Sequence, residues 1–202
     1  MTHPFFSELN ETLICEHKTN SWNTDDTTPY HCHDGYEILV FIGGHASFFV
    51  ENDGKILEPG DIVCCPPGAF HRAMPLQDKA YDRFLIAIPH EQLEKLNTVN
   101  TNLASCFFRG RASLPLLHPS QNTFQKILSC CRELEQCLAE HIYGWDVLCT
   151  ALLSQILVML NQEKAVLSAP SFSNPIPPLV SEIYDYIAVS YTHLRAHETS
   201  AH

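Results

Sequence analysis

Basic side chains are scarce in this sequence of 202 residues, which has 12 Lys and Arg against 23 Asp and Glu and a formal net charge of −11. Contacts with phosphates need a basic surface, so this composition argues against nucleic-acid binding by the chain itself. The sequence also lacks a run of about 18 uncharged apolar residues and an N-terminal basic segment followed by a hydrophobic one. We therefore expect a cytoplasmic protein with no membrane span and no secretory signal.

No Cys-x-x-Cys motif occurs, although the sequence contains nine cysteines. An odd number of cysteines at these spacings fits no small disulfide scaffold, so free thiols in a reducing compartment are the simple interpretation. Hydrophobic residues make up 45% of the chain, which is enough to build a core. The length fits one domain of ordinary size with an appended module.

Short apolar segments separated by turns fill residues 36–88. Residues 38–42 are mostly β-branched or aromatic, the apolar pattern resumes at 46–50, and the Asn-Asp-Gly sequence at 52–54 predicts the turn of a hairpin. A further strand is expected near residues 12–17. This density of strands and turns predicts a mainly β protein with a small antiparallel barrel or jelly roll.

Helical periodicity replaces the strand pattern between residues 121 and 164, with a break near 141–144. A shorter helix is expected at 90–96, followed by a polar connector. The second long helix is apolar over so wide a face that more than one side must be buried. Either it packs entirely inside the monomer, or part of this face meets a partner subunit. Residues 168–178 contain four prolines and read as a linker, and a new amphipathic helix starts at 179.

Two stretches of the barrel region carry candidate ligands for a metal ion. In an extended strand alternate side chains share a face, so His31, His33 and Glu37 are expected to point the same way. A turn forced by the Pro-Pro-Gly sequence at 66–68 comes just before His71. Three imidazoles and one carboxylate form a ligand set suited to Zn, Fe, Ni or Mn.

Tyr36 and Arg83 are further candidates for contact with a small molecule. Arg83 lies in an otherwise apolar strand, where it either faces solvent or points inward and selects a carboxylate, a phosphate or a sugar acid. Cys32 and Arg72 are weaker candidates, because each is adjacent to a candidate ligand and should point to the opposite side of its strand.

The two stretches resemble the two signature motifs of the cupin superfamily. The first motif is matched by His31, His33, Glu37 and Gly44, and the second by Gly60, Pro66, Gly68 and His71. Asp25 stands where the first motif opens with Gly, and Pro75 where the second closes with Asn. Neither departure removes a ligand position, and the resemblance implies a cupin-like double-stranded β-barrel.

A cupin followed by a helical hairpin, a linker and the start of another helix resembles an AraC-type transcription regulator over residues 5–188. The resemblance implies an N-terminal arm and effector-binding barrel in residues 1–97 and a connector with a dimerising hairpin in 98–167. Residues 168–188 would then be a linker and the first helix of a helix-turn-helix domain that this chain lacks. DNA would be a partner only of the full-length protein, which is expected to form homodimers and to bind no membrane.

The expected effector is a small molecule, with sugars and sugar derivatives among the candidates, and no residue is assigned a catalytic role. Its expected contacts are His31, His33, Tyr36, Glu37, His71 and Arg83. The alternative is a metal-dependent cupin enzyme of the dioxygenase or isomerase class, because fold alone does not decide function. Residues 189–199 resemble a translated sequencing adapter, so we expect residues 189–202 not to be native.

Overall fold

The structure is a computed structural model, and it describes residues 12–21, 29–51, 53–75, 80–108 and 115–168. The expected linker, the start of the following helix and the tail beyond residue 168 lie outside the described residues, as does most of the N-terminal arm. The β-strands are β1 (Ile14–Ser21), β2 (Tyr36–Gly44), β3 (Ala46–Val50), β4 (Asp53–Ile56), β5 (Ile62–Cys65), β6 (His71–Pro75), β7 (Ala80–Ile88) and β8 (Leu116–Leu117). The helices are α1 (His90–Leu96), a 3₁₀ helix (Leu103–Phe107), α2 (Gln121–Glu140) and α3 (Trp145–Ser168).

The strands form two antiparallel sheets, as expected for a barrel. Five strands pair in the order β1-β7-β2-β5-β8 and three in the order β4-β3-β6. Side chains from both sheets meet in one buried cluster, which we call the inner core; it includes Leu39 and Phe41 of β2 and Phe48 of β3. The prediction of a mainly β barrel followed by helices is confirmed.

β2 is buried on both of its faces. Leu39 and Phe41 point into the inner core, whereas Ile38 and Val40 belong to a second buried cluster, the outer core, together with residues of α2 and α3. Because helices cover the outside of the five-stranded sheet, neither face of this strand is polar. The barrel and the helical hairpin therefore share one strand as a common wall.

The helical hairpin follows the sequence prediction closely. Ser120 caps α2 by accepting a hydrogen bond from the Thr123 backbone N–H at 3.2 Å, and His141 ends the helix with a φ of 50°. The break predicted near residues 141–144 is the turn between α2 and α3. In α3, Leu153, Ile156 and Leu157 are fully buried in the outer core.

Most of the wide apolar face of α3 is thus covered by its own chain. Residues Trp145–Lys164 have a mean hydropathy of 1.2 and are long enough to cross a membrane, a property that core helices share. A narrower strip, consisting of Val147, Ala151 and Val158, is exposed along one side of the helix.

Two details of the barrel differ from the sequence prediction. β1 runs from Ile14 to Ser21, further along the chain than expected, because it pairs with β7 over its whole length. The turn between β3 and β4 comes earlier than the Asn-Asp-Gly signal suggested, since Val50 already pairs with Asp53 and Glu51 takes a φ of 53°. Gly54 serves packing instead: a Cβ there would lie 2.4 Å from the ring of Phe49.

Candidate functional site

The first stretch of candidate ligands is a bent segment that leads into β2, and the expectation of one continuous strand is wrong. His31 forms an isolated antiparallel bridge with His71: the His31 N–H donates to the His71 carbonyl at 3.1 Å, and the reverse bond is 2.9 Å long. The chain then bends at residues 34–35 before β2 begins at Tyr36. The backbone itself therefore joins the two stretches.

The turn between β5 and β6 strengthens this connection. Gly68 has a φ of 77°, which favours glycine, and its N–H donates to the His33 carbonyl at 2.8 Å. The chain leaves this turn at His71, the first residue of β6. The Pro-Pro-Gly turn thus acts as predicted, since it delivers His71 beside the first stretch.

Four side chains converge at this point, at one end of the barrel. One ligand atom from each of His31, His33, Glu37 and His71 lies within 4.8 Å of all the others. His33, Glu37 and His71 are buried, and His31 is half-buried. We call this group the His₃Glu cluster.

Backbone carbonyls orient each imidazole in the same way. Nδ1 of His31 bonds to the carbonyl of Pro29 at 3.1 Å, and Nδ1 of His33 to that of Gly35 at 2.9 Å. Nδ1 of His71 bonds to the carbonyl of Ala69 at 2.9 Å. A carbonyl only accepts, so each Nδ1 carries a proton and each Nε2 remains to bind something else.

Glu37 is the only carboxylate in the cluster. Its Oε2 lies 3.3 Å from His33 Nε2, and its Oε1 lies 3.6 Å from His71 Nε2. Burial alone would raise the pKa of Glu37, but interactions with His33 and His71 outweigh burial and lower the pKa to about 2. Glu37 is therefore an anion inside the barrel at neutral pH.

The pKa values of two histidines move in opposite directions. Burial would lower the pKa of His71, but the neighbouring Glu37 carboxylate raises it above the ordinary value. Burial and the charge of His71 lower the pKa of His31. The cluster therefore favours one proton near Glu37 and disfavours a second positive imidazole.

The donor set of the cluster fits a transition-metal ion. Nε2 of His71 is buried and has no hydrogen-bond partner among the described residues. Zn and related metals are typically bound by imidazole nitrogens and carboxylates. The other ring nitrogen of such an imidazole typically donates to a carbonyl, as Nδ1 does here. Without a bound metal ion, only the proton near Glu37 would offset the imidazole lone pairs and the carboxylate that face one another inside the barrel, and burying such groups without enough partners is costly.

Tyr36 does not join the cluster, contrary to the sequence expectation. Its ring packs against Phe107 at 4.6 Å and against His90 at 5.7 Å between ring centroids, in the outer core. The reason is the alternation of side chains in β2, which places Tyr36 and Glu37 on opposite faces. Tyr36 is therefore not placed to contact an effector bound at the His₃Glu cluster.

Arg83 lies on the cluster's side of the sheet but near the other end of β7. It pairs with Phe41, whose side chain is in the inner core, and its guanidinium lies 4.0 Å from the centroid of the Tyr81 ring. It also donates to the carbonyls of Lys18 and Tyr81 at 3.2 and 3.1 Å. Arg83 is thus half-buried and held in place, apart from the His₃Glu cluster.

Three relevant residues were not identified from the sequence. Phe48 stacks on His71 with 5.9 Å between ring centroids. Burial, together with the charge of Glu37, raises the pKa of Cys65. The Tyr81 hydroxyl is buried without a hydrogen-bond partner in the described part of the chain. Only the alternation of β3, β5 and β7 could have indicated these positions, since none belongs to a motif. Cys32 is buried and lies outside the set of converging ligand atoms.

Comparison with known proteins yields one family match. The family model described as AraC-like ligand binding domain matches residues 20–157, which is more than half of the chain. No curated protein matches the sequence.

Several solved structures share parts of the fold at low identity. DMSP lyase DddQ from Ruegeria pomeroyi is 22% identical over 39% of this chain and 39% of its own, with a TM-score of 0.33. A Cupin 2 conserved barrel domain protein from Salinispora arenicola is 19% identical over 47% of this chain and 76% of its own, with a TM-score of 0.36. ToxT from Vibrio cholerae is 12% identical over 82% of this chain and 61% of its own, with a TM-score of 0.48. This chain therefore spans less than two thirds of DddQ and of ToxT.

Proposed function

Because this chain belongs to the family of AraC-like ligand binding domains, we propose that it is the effector-sensing part of a transcription regulator rather than an enzyme. In this proposal a small molecule binds at the His₃Glu cluster, and a DNA-binding half lies outside these 202 residues. The net charge of −11 supports the second point, since this part has little means of binding DNA by itself. A cytoplasmic location, where DNA is accessible, follows from the same proposal.

The observation that carries the proposal is the convergence of four polar groups at one end of a largely apolar barrel. Buried polar groups without partners cost free energy unless a ligand, water or ion satisfies them. His71 Nε2 is such a group, and the anionic Glu37 lies 3.6 Å away. A site of this kind is more stable when occupied, which is the property a sensor needs.

We propose that His31, His33, Glu37 and His71 hold a divalent transition metal, with Zn, Fe, Ni and Mn as the candidates. Such an ion supplies a Lewis-acid centre for oxygen atoms of an effector. The chain's own residues fix the position of that centre through the three Nδ1–carbonyl bonds. Arg83 and the Tyr81 hydroxyl lie on the same face of β7 and provide a charge and a hydrogen-bond donor for sugars or acids that extend along the barrel.

We further propose that the helical hairpin mediates homodimerisation through the exposed strip on α3. Val147 is 69% and Val158 38% exposed, and Ala151 lies between them on the same side of the helix. Isolated apolar residues are common on surfaces, but three at helical spacing match a narrow helix–helix seam. A ligand in the barrel could then bias the hairpin through the shared wall of β2.

The proposal is tested by a thermal-shift screen of sugars, sugar acids and small carboxylates on the zinc-loaded chain. We expect at least one compound to raise the midpoint of unfolding, and we expect His71→Ala to abolish that shift. A compound that stabilises the wild type and His71→Ala equally would place effector binding elsewhere. In a mobility-shift assay at physiological salt, sequence-specific DNA retardation by this chain would contradict the assignment of DNA binding to another part.

The alternative, a metal-dependent cupin enzyme, rests on the same four ligands. It is distinguished by incubating each stabilising compound with protein loaded with Zn, Fe, Ni or Mn and analysing the compound afterwards by mass spectrometry. A sensor returns the compound unchanged. Metal-dependent conversion that is lost in Glu37→Gln would favour the enzyme.

A further inference from the structure

A surface cleft of about 320 Å³ lies at the end of the helical hairpin, where α2 turns into α3. We call it the hairpin cleft. Four residues at helical spacing on α2 line it together with two on α3 that are three positions apart: Glu133, Gln136, Cys137 and Glu140, and Trp145 and Leu148. The turn between the helices adds Ile142 and Tyr143. None of these residues belongs to the His₃Glu cluster, so effector binding there does not explain them.

The hairpin cleft presents apolar side chains that its own chain leaves uncovered. Ile142 is 64% and Leu148 47% exposed, and Tyr143 is fully exposed. Trp145 is half-buried, and its ring meets that of His141 at 4.3 Å between centroids in a T-shaped arrangement, which helps to hold the indole in place. Scattered apolar residues are normal on a surface, but a group of them around one concavity is typical of a surface that binds a partner.

The hairpin cleft is also negatively charged. Among the described residues that line it, Glu133 and Glu140 are acidic and none is Lys or Arg. Glu133 accepts from the Ser129 hydroxyl at 3.2 Å, and Glu140 accepts from the Gln136 amide at 2.8 Å. These donors are neutral, and neither carboxylate makes an ion pair within the described ranges. The carbonyl end of α2 lies here too and adds to the negative potential.

The size of the cleft limits what it can hold. Pockets that enclose a whole small molecule have volumes of about 300–1,000 Å³. The hairpin cleft is at the lower end of this range and is open to solvent, so it accommodates a few side chains. Grooves formed by helices commonly receive the apolar side of an amphipathic helix, whose anchoring side chains recur at intervals of three and four residues.

Charge then decides between classes of partner. Carboxylates repel nucleic acids and anionic lipid surfaces. A second copy of this chain also carries a net charge of −11, and a symmetric contact would bring the same acidic residues together. A segment that combines apolar anchors with Lys or Arg has neither problem, since its cations complement the carboxylates and can lie over the Tyr143 and Trp145 rings.

The hairpin cleft is separate from the proposed dimer strip. Leu148 lies one residue beyond Val147 and so about 100° around the helix from that strip. A dimer formed through the strip therefore leaves the cleft on another side of α3.

We propose that the hairpin cleft binds a basic amphipathic helix of another protein. Apolar side chains of that helix pack against Tyr143, Trp145 and Leu148, and its Lys or Arg side chains pair with Glu133 and Glu140. The apolar anchors supply most of the affinity, whereas the exposed ion pairs favour one orientation and speed association. Binding here is independent of what occupies the His₃Glu cluster.

The experiment follows the fluorescence of Trp145 in the variant Trp22→Phe, in which Trp145 is the only tryptophan. The probe is a synthetic peptide free of Trp and Tyr, with Leu at alternating intervals of three and four residues and Lys or Ala elsewhere. We expect it to shift the Trp145 emission to shorter wavelength in a saturable way, with an affinity that falls as salt is raised. The same peptide with Glu in place of Lys, or with Ser in place of Leu, should not bind.

Matched substitutions separate a local contact from general attraction to an acidic protein. Glu133→Gln combined with Glu140→Gln should weaken peptide binding roughly tenfold, because each exposed ion pair contributes modestly. Glu91→Gln combined with Glu94→Gln removes the same charge from exposed positions on α1 and should leave the affinity unchanged. Leu148→Ser removes an apolar contact and should also weaken binding. Circular dichroism of each variant verifies that the helices are present.

Several results overturn the proposal. One is that the basic peptide does not bind, or binds no better than the Glu or Ser peptide. Another is that the two double variants weaken binding equally, which would mean non-specific attraction by net charge. A lower mass of Leu148→Ser in light scattering would assign the cleft to a second copy of this chain, and a Trp145 shift with phosphatidylserine vesicles would assign it to a lipid surface.

Discussion

Tyr36 and Glu37 are consecutive residues of β2, yet their side chains lie in different cores on opposite faces of the five-stranded sheet. Tyr36 packs against Phe107 in the outer core, and Glu37 interacts with His33 inside the barrel. One strand therefore separates the packing of the helices from the chemistry of the His₃Glu cluster. This separation provides a matched pair of substitutions.

Glu37→Gln should weaken metal binding while Tyr36→Phe leaves it unchanged. Changes to groups that only orient a ligand cost 10–100-fold in affinity, so loss of a direct anionic ligand should cost on the order of 100-fold or more. Equilibrium dialysis against Zn²⁺, followed by elemental mass spectrometry, measures both variants. Equal affinity of Glu37→Gln and wild type would remove the cluster as the metal site.

The metal-free protein should show a pH window of stability due to the cluster. The pKa of Glu37 is lowered from 4.5 to about 2. Its contribution to the free energy of unfolding is therefore present above pH 4.5 and is lost as the pH falls from 4.5 to about 2. The pKa of His71 is raised, so its contribution is complete below pH 6.5 and is lost as the pH rises through its folded-state value.

Urea denaturation across this range, in the presence of a chelator, tests the window. The difference in the free energy of unfolding between wild type and Glu37→Gln should be largest between pH 4.5 and 6.5. We compare the two proteins because His31, whose pKa is lowered, gives the free energy of unfolding a pH dependence opposite to that from His71. Subtracting the variant from the wild type reduces the contribution of His31. A difference that does not vary with pH would mean that the carboxylate does not pair with His71.

Gly44→Ala should destabilise the barrel, whereas Gly43→Ala should not. Gly44 has a φ of 100°, and a Cβ there would lie 1.7 Å from the Ala80 carbonyl oxygen. Nothing lies within 4 Å of a Cβ at Gly43. The strained backbone alone costs about 1–2 kcal/mol, and the clash adds to it. Chemical denaturation of the two variants measures the contrast, and similar midpoints would contradict it.

Asp61→Ala should cost about 2–3 kcal/mol of folding free energy, because hydrogen bonds to a charged group are lost and the donors are left behind. The Asp61 side chain is fully buried; it accepts from the Glu58 N–H at 2.9 Å and from His118 Nδ1 at 2.8 Å. His118→Ala should cost less than about 1 kcal/mol, since that side chain is half exposed. Urea denaturation of both variants checks the order, and a larger loss for His118→Ala would refute it.

The double substitution Val147→Glu, Val158→Glu should convert a dimer to a monomer. Charges on both sides of a symmetric seam repel and lose the apolar contact. Light scattering after size-exclusion chromatography measures the mass. Val99, which is fully exposed in the connector after α1, provides the control Val99→Glu, which should leave the oligomeric state unchanged. A variant that elutes like the wild type would place the dimer contact elsewhere.

The sequence predicted the cluster because its members lie in two short motifs with strong turn chemistry. Pro66, Pro67 and Gly68 dictate a tight turn locally, and this turn delivers His71 irrespective of distant packing. The helical hairpin was equally accessible, since the 3.6-residue period of α2 and α3 extends over many turns. Local signals of this kind need no knowledge of the neighbours.

Tyr36 and the β3–β4 turn could not be placed in this way. The position of Tyr36 depends on helices that cover the outer face of β2, and a continuous apolar run does not reveal which face meets which partner. The early turn at Glu51 goes with a register in which Gly54 pairs with Phe49, a contact between strands that the local sequence does not reveal. The inward side of Arg83 likewise follows from its register with Phe41, which only the sheet defines.

The three imidazoles of the cluster are oriented by the carbonyls of Pro29, Gly35 and Ala69, which are groups of the main chain. Every amino acid carries such a carbonyl, so side chains at these three positions can drift during evolution without releasing the rings. Relatives that keep the four ligands but have other residues at positions 29, 35 and 69 should therefore retain the same ring orientation. A search for coevolving residues would not detect these three backbone carbonyls.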